Sequence, residues 1–216
     1  MVVLAVAATL AVAGRWFLAR TDALGRPRGF PVISVASLLV VAVGAAFPVV
    51  REHRLEARLS AVGSTVAGRA VVVDCQTRGQ EMVDAGSELG WVRYDEAGRP
   101  EQRTLIKRAP CARLRHYLSA HGRDPSLDEV VSVHVLGHEV QHMVGRTVES
   151  EAECASVQRD AAVARLLGAS PADAIALGRR YWREVFPRLR EDYVSGECRP
   201  GGRLDERLPD APWTGS

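Results

Sequence analysis

The chain has 216 residues and a formal net charge of +2, with 28 basic residues set against 26 acidic ones. That length holds one soluble domain plus membrane segments and hardly two domains. The near-neutral balance excludes the broad basic footprint of a nucleic-acid-binding protein.

Met1–Ala19 is apolar except for Arg15 and lacks a basic leader, so it reads as a first, short membrane helix rather than a cleaved signal. Phe30–Val50 runs 21 residues without a charge, enough to span a bilayer core as a helix. The linker between them carries Arg20, Arg26 and Arg28 against Asp22. The positive-inside rule places it in the cytoplasm and everything after about residue 51 outside the bacterial plasma membrane. Arg51, Arg54 and Arg58 pull mildly the other way, offset by Glu52 and Glu56. Four cysteines, Cys75, Cys111, Cys154 and Cys198, all follow the membrane segment. An even number in an oxidising compartment predicts two disulfides, with three pairings open. No CxxC spacing suggests a cysteine-based zinc site.

Residues 51–67 read as a charged connector leaving the membrane, with helix as one reading of it. Gly68–Cys75 is a β-branched run, and Leu89–Arg108 reads as strand, turn and strand around "DEAGRP", so a small antiparallel sheet is expected first. Helices follow. Cys111–Gly122 forms a short one, and a capping box of Ser126 and Glu129 opens another that reaches about Val144 and stops at Gly145. A second covers roughly Val148–Leu167. A third opens at Ser170 and Pro171 and must kink or end at Pro187. The expected fold class is α+β: an anchor over 1–50, the connector, an extracytoplasmic domain over 68–198, and a loop tail over 199–216 rooted at Cys198.

The chemistry concentrates in "HVLGHEVQHMVGRTVESEAEC", His134–Cys154. His138-Glu139-Val140-Gln141-His142 is an HExxH motif on a predicted helix, which sets His138 and His142 on one face and lets both reach one zinc ion. Glu139 is the candidate catalytic base, able to take a proton from an attacking water. Val133, Leu136, Val140, Met143 and Val144 fall on the opposite side, as a buried active-site helix requires. A catalytic zinc takes three protein ligands. Glu149 and Glu153 share a face of the next helix with Ser156, Asp160 and Val163, whereas Glu151 points away. Glu149 is therefore the expected third ligand and Glu153 a carboxylate behind a ligand histidine, with the reverse assignment as the alternative. His134, one turn before His138, could bond a ligand, or simply be a satisfied core histidine. Tyr181, Trp182 and Tyr193 read as core, with Tyr181 or Arg180 as lesser candidates for an oxyanion donor. His116 and His121 read as surface residues. Cys154 lies across its helix from the glutamates and reads as a disulfide staple.

The stretch resembles a gluzincin, in which HExxH on one helix is joined by a glutamate on the next. That resemblance implies Glu149 as ligand and Glu153 where an aspartate is usual. Only six residues separate His142 from Glu149, shorter than in thermolysin-like enzymes. Met143-Val144-Gly145 is similar to the metzincin HExxHxxG turn, but Val148 stands where a metzincin has its third histidine. The chain also resembles an uncharacterised family of membrane-anchored proteins of high-GC bacteria, through HExxH, "EAEC" and a tail like "ECRPGGRLD". A single lysine, Lys107, fits such a genome. The function expected is a membrane-anchored zinc metallopeptidase acting on peptide or protein substrates in the cell envelope. The alternative is a disulfide-stapled binding domain whose metal is structural, which would need four protein ligands.

Overall fold

The computed structural model describes residues 2–214. The first residue of the expected anchor and the last two of the expected tail lie outside the described residues. The chain forms two compact units, Met1–Arg54 and Leu55–Ser216.

In the first unit, α1 spans Val2–Leu18, and α2 begins at Val32 and runs to Ala67. Among the described residues α2 is the one helix long and apolar enough to cross a membrane; α1, at 17 residues, is shorter. Ile33, Val40 and Val43 on α2 are exposed, the distribution a lipid-facing helix requires.

The second unit starts inside α2. Leu55, Leu59 and Val62 recur at helical spacing and are buried in the core with Val73, Ile106, Leu114, Val133 and Leu136. The stretch expected as a charged connector is helical, as one reading allowed, but from Leu55 onward it is part of the folded domain rather than a connector. Its charges, Arg54, Glu56 and Arg58, flank these apolar positions without interrupting them.

Three strands follow: β1 (Val72–Cys75), β2 (Gly90–Tyr94) and β3 (Pro100–Ile106), in the order β1-β3-β2. β2 and β3 form the expected antiparallel hairpin, but β1 pairs parallel to β3, so the sheet is mixed rather than antiparallel. The segment from Gln76 to Leu89, which includes the short helix α3 (Arg78–Glu81), is long enough to carry the chain past β3 before β2 begins. Hairpin adjacency is thus not enforced between β1 and β2. The outer edge of β1 is covered by α2. Glu56, Ser60 and Ser64, four residues apart, accept hydrogen bonds from the backbone N–H groups of Cys75, Val73 and Val71 at 3.0, 2.9 and 3.0 Å.

Five helices follow, α4 (Arg108–Ser119), α5 (Leu127–Met143), α6 (Glu149–Val157), α7 (Asp160–Leu166) and α8 (Pro171–Glu184), and α5 packs against β2 and β3 with the other four gathered around it. Both bonds of the Ser126–Glu129 capping box are present at the start of α5. The expected Val148–Leu167 helix is two helices, interrupted at Gln158 and Arg159. Pro187 falls in a 3-10 turn, Phe186–Arg188, that ends α8. A second such turn covers Glu191–Tyr193. Disulfides join Cys75 to Cys111, tying β1 to α4, and Cys154 to Cys198, tying α6 to the C-terminal segment.

Candidate metal centre

From Ser132 to Met143 helix α5 is buried on every side. Val133, Leu136, Val140 and Met143 pack behind it, and His134, His138, Glu139 and His142 are buried in front. A surface helix carrying histidines by accident does not have this burial. The direction of the chain then reverses at Gly145, whose φ of +106° is a conformation that L side chains rarely adopt. Three residues later α6 begins, with Glu149 in its first position.

This reversal brings three donor atoms together. Glu149 Oε2 lies 3.1 Å from His138 Nε2 and 3.2 Å from His142 Nε2, and the two nitrogens are 2.9 Å apart. Tetrahedral bonds of about 2.0–2.1 Å to a small divalent ion set ligand atoms about 3.3 Å apart. The triangle would fit such an ion with slight outward adjustment, with His138, His142 and Glu149 holding it. Both rings are also held in the required orientation. The Nδ1 of His142 lies 2.7 Å from the Arg146 carbonyl, which can only accept, so this nitrogen carries the hydrogen and Nε2 is left for a metal. The Nδ1 of His138 lies 3.1 Å from Glu153 Oε2 in the same way.

Glu153 is thus turned to the opposite edge of the His138 ring from Glu149. Its Oε2 also meets His134 Nε2 at 2.9 Å, and its Oε1 accepts from the Tyr181 hydroxyl at 2.8 Å. His134 continues to Asp160, 3.0 Å from its Nδ1, and stacks on the Tyr181 ring at 3.7 Å. The result is a buried chain Asp160–His134–Glu153–His138. Burial alone would lower the pKa of His134, but Asp160 and Glu153 raise it to about 10. His138 is likewise lowered by burial and raised to about 9 by Glu149 and Glu153. Burial lifts Asp160 to about 6 against the pull of His134. Hydrogen bonds from His138 and His142 hold Glu149 well below the usual carboxylate range.

Glu139 stands beside the triangle and outside it. Burial raises its pKa, opposed by His138 and His142. The Thr104 hydroxyl of β3 is 3.3 Å from its Oε2. Gly90 of β2 is where the carboxylate presses on the sheet: a Cβ there would stand 2.8 Å from Glu139 Oε1. A buried carboxyl whose pKa is raised by its surroundings, beside three groups that could hold a metal ion, is suited to exchanging a proton with a neighbouring water.

The other sequence candidates fall elsewhere. Glu151 is not part of either histidine cluster. Arg180 bonds the Pro125 carbonyl and Glu184, and Tyr181 is committed to Glu153, so neither is placed as an oxyanion donor. His116 and His121 are exposed. Sequence reasoning missed Tyr193: its ring stacks on His138 with centroids 5.7 Å apart. Burial and the charge of Glu149 raise its phenol to about 12, so it keeps a donatable proton at neutral pH. Rather than the core residue expected, it is only partly buried and lies on a 3-10 turn, where no periodicity marks a functional face. Comparisons with protein-family models, with curated proteins and with solved structures return no match to this chain.

Proposed function

We propose that the chain is a membrane-anchored zinc metallopeptidase of gluzincin type, hydrolysing peptide bonds in the cell envelope. The observation that carries this reading is the open triangle His138–His142–Glu149 with a protonatable Glu139 beside it. Two imidazoles and one carboxylate are the donor set of catalytic zinc. A closed structural site would need a fourth protein ligand, and Glu153, one turn along α6 from Glu149, is turned to the other edge of the His138 ring.

Zinc, when bound, supplies Lewis acidity that acidifies water and polarises a carbonyl. The protein's own residues do the rest. Glu139 accepts the proton of the attacking water and returns it to the departing amine. Tyr193, whose ring stacks on His138, is the hydrogen-bond donor we assign to the carbonyl oxygen as it gains charge. The Glu153–His134–Asp160 chain keeps the His138 ring from rotating. The apolar stretch of α2 and the two disulfides support a domain held at the outer face of the plasma membrane.

The test is metal analysis and peptide-library cleavage by the purified protein. About one zinc per chain is expected, and Glu139→Gln should retain the metal and lose hydrolysis. A Glu139→Gln protein that cleaves as fast as the parent would overturn the mechanism.

A further inference from the structure

Helix α6 carries Glu149 and Glu153 yet has only nine residues and no side-chain cap at its start. The turn before it, Gly145–Val148, lies toward solvent: Gly145, Thr147 and Val148 are exposed, and only Arg146 is partly covered. A short helix behind an exposed turn has little of its own to fix it. The ligand geometry nevertheless depends on this turn twice. Its backbone sets where Glu149 starts, and the Arg146 carbonyl orients the His142 ring.

Arg146 is held by its side chain. Its Nε donates to Gln141 Oε1 at 3.1 Å, and its Nη2 donates to Glu206 Oε1 at 3.0 Å. Glu206 belongs to the C-terminal segment. The same carboxylate takes two bonds from Arg159, at 2.9 and 2.6 Å, from the interruption that ends α6. One carboxylate therefore grips Arg146 in the turn before α6 and Arg159 in the interruption after it. The segment bearing Glu206 is seated independently: Gln158 Nε2 donates to the Leu204 carbonyl at 2.9 Å, the Glu206 N–H donates to Gln158 Oε1 at 2.8 Å, and Cys198 is bonded to Cys154 on α6.

We propose that Glu206 is a positioning residue of the metal centre, acting through Arg146 on His142 and through both ends of α6 on Glu149. It touches neither metal nor substrate. The proposal rests on the reading of His142 and Glu149 as ligands. It goes beyond that reading by making the C-terminal segment part of the site's support rather than a loose tail.

The experiment uses the full-length protein in detergent, with cobalt(II) as the probe, its visible bands reporting coordination and a titration giving the dissociation constant. Removing an outer support of a metal ligand weakens binding roughly tenfold, and Glu206→Ala is expected to do so and to alter the bands. Asp210→Asn is the control, since Asp210 forms a comparable ion pair between the same segment and Arg165 on α7, away from the site. It should lower the melting temperature without changing the cobalt titration. In an Arg146→Ala background, Glu206→Ala should weaken cobalt binding by much less than it does alone. Glu206→Ala binding cobalt like the parent, or both variants weakening it alike, would overturn the proposal. A parent protein that takes up no cobalt would instead overturn the metal-centre reading itself.

Discussion

His138 is gripped on both edges of its ring, by Glu149 at Nε2 and Glu153 at Nδ1, and that placement predicts how the site responds to pH. Burial would lower its pKa, but the two carboxylates raise it to about 9, so at pH 7 the metal-free ring is protonated. A metal binds only the neutral imidazole, so binding must expel a proton. Affinity should therefore climb as pH rises toward 9, and calorimetry in two buffers of different ionisation enthalpy should record proton release. The metal-free fold should behave in the opposite sense. The stability that His134 and His138 contribute as cations is complete below their unfolded pKa of about 6.5. It is lost as pH rises through about 9 and 10, so urea midpoints without metal should fall over that range. Tyr193→Phe removes one candidate hydrogen bond to the developing oxyanion. It should cut kcat about 10- to 100-fold while leaving bound metal and melting temperature unchanged. The His138, Glu139 and His142 motif was legible because helical periodicity forces those residues together, and Glu149 and Glu153 were legible as a pair four apart. Asp160 was placed on the right face without a role, because its partner His134 comes from another helix.

At the scale of elements, the site depends on how sharply α5 gives way to α6. Gly145→Ala places a Cβ on a backbone at φ +106°, where nothing crowds it but the conformation itself is unfavourable by about 1–2 kcal/mol or more. The turn should relax, metal affinity should fall, and equilibrium dialysis would detect it. Cys198→Ser frees α6 from the C-terminal segment, and loss of a native disulfide costs about 2–5 kcal/mol; a matching drop in denaturation midpoint is expected. The capping box, the glycine stop and the hairpin over Asp95–Arg99 were readable because each is a local signal. The break at Gln158 and Arg159 was not. Those side chains are diverted to Leu204 and Glu206, distant partners that no glycine or proline announces. The parallel pairing of β1 escaped for the same reason, since strand order is decided by where a long connection lands rather than by strand composition.

For the whole molecule, the boundary of the folded domain has a practical outcome. Truncating to Gly68 would remove Leu55, Leu59 and Val62 from the core, at about 1.5–3 kcal/mol for each buried side chain. It would also strip the three acceptors from β1. Such a fragment should be unfolded by circular dichroism, whereas one beginning near Arg54 should keep native-like helicity. Composition did not tell that these turns belong to the core, because an amphipathic continuation of an apolar helix looks like a charged helical stalk until its packing partners are known. The covering of β1 also gives the sheet a polarity. Its hydrogen-bonding capacity is spent on one flank, so a visiting backbone can zip on only beyond β2. There it would run alongside Gly90, the point against which the buried side chain of Glu139 rests.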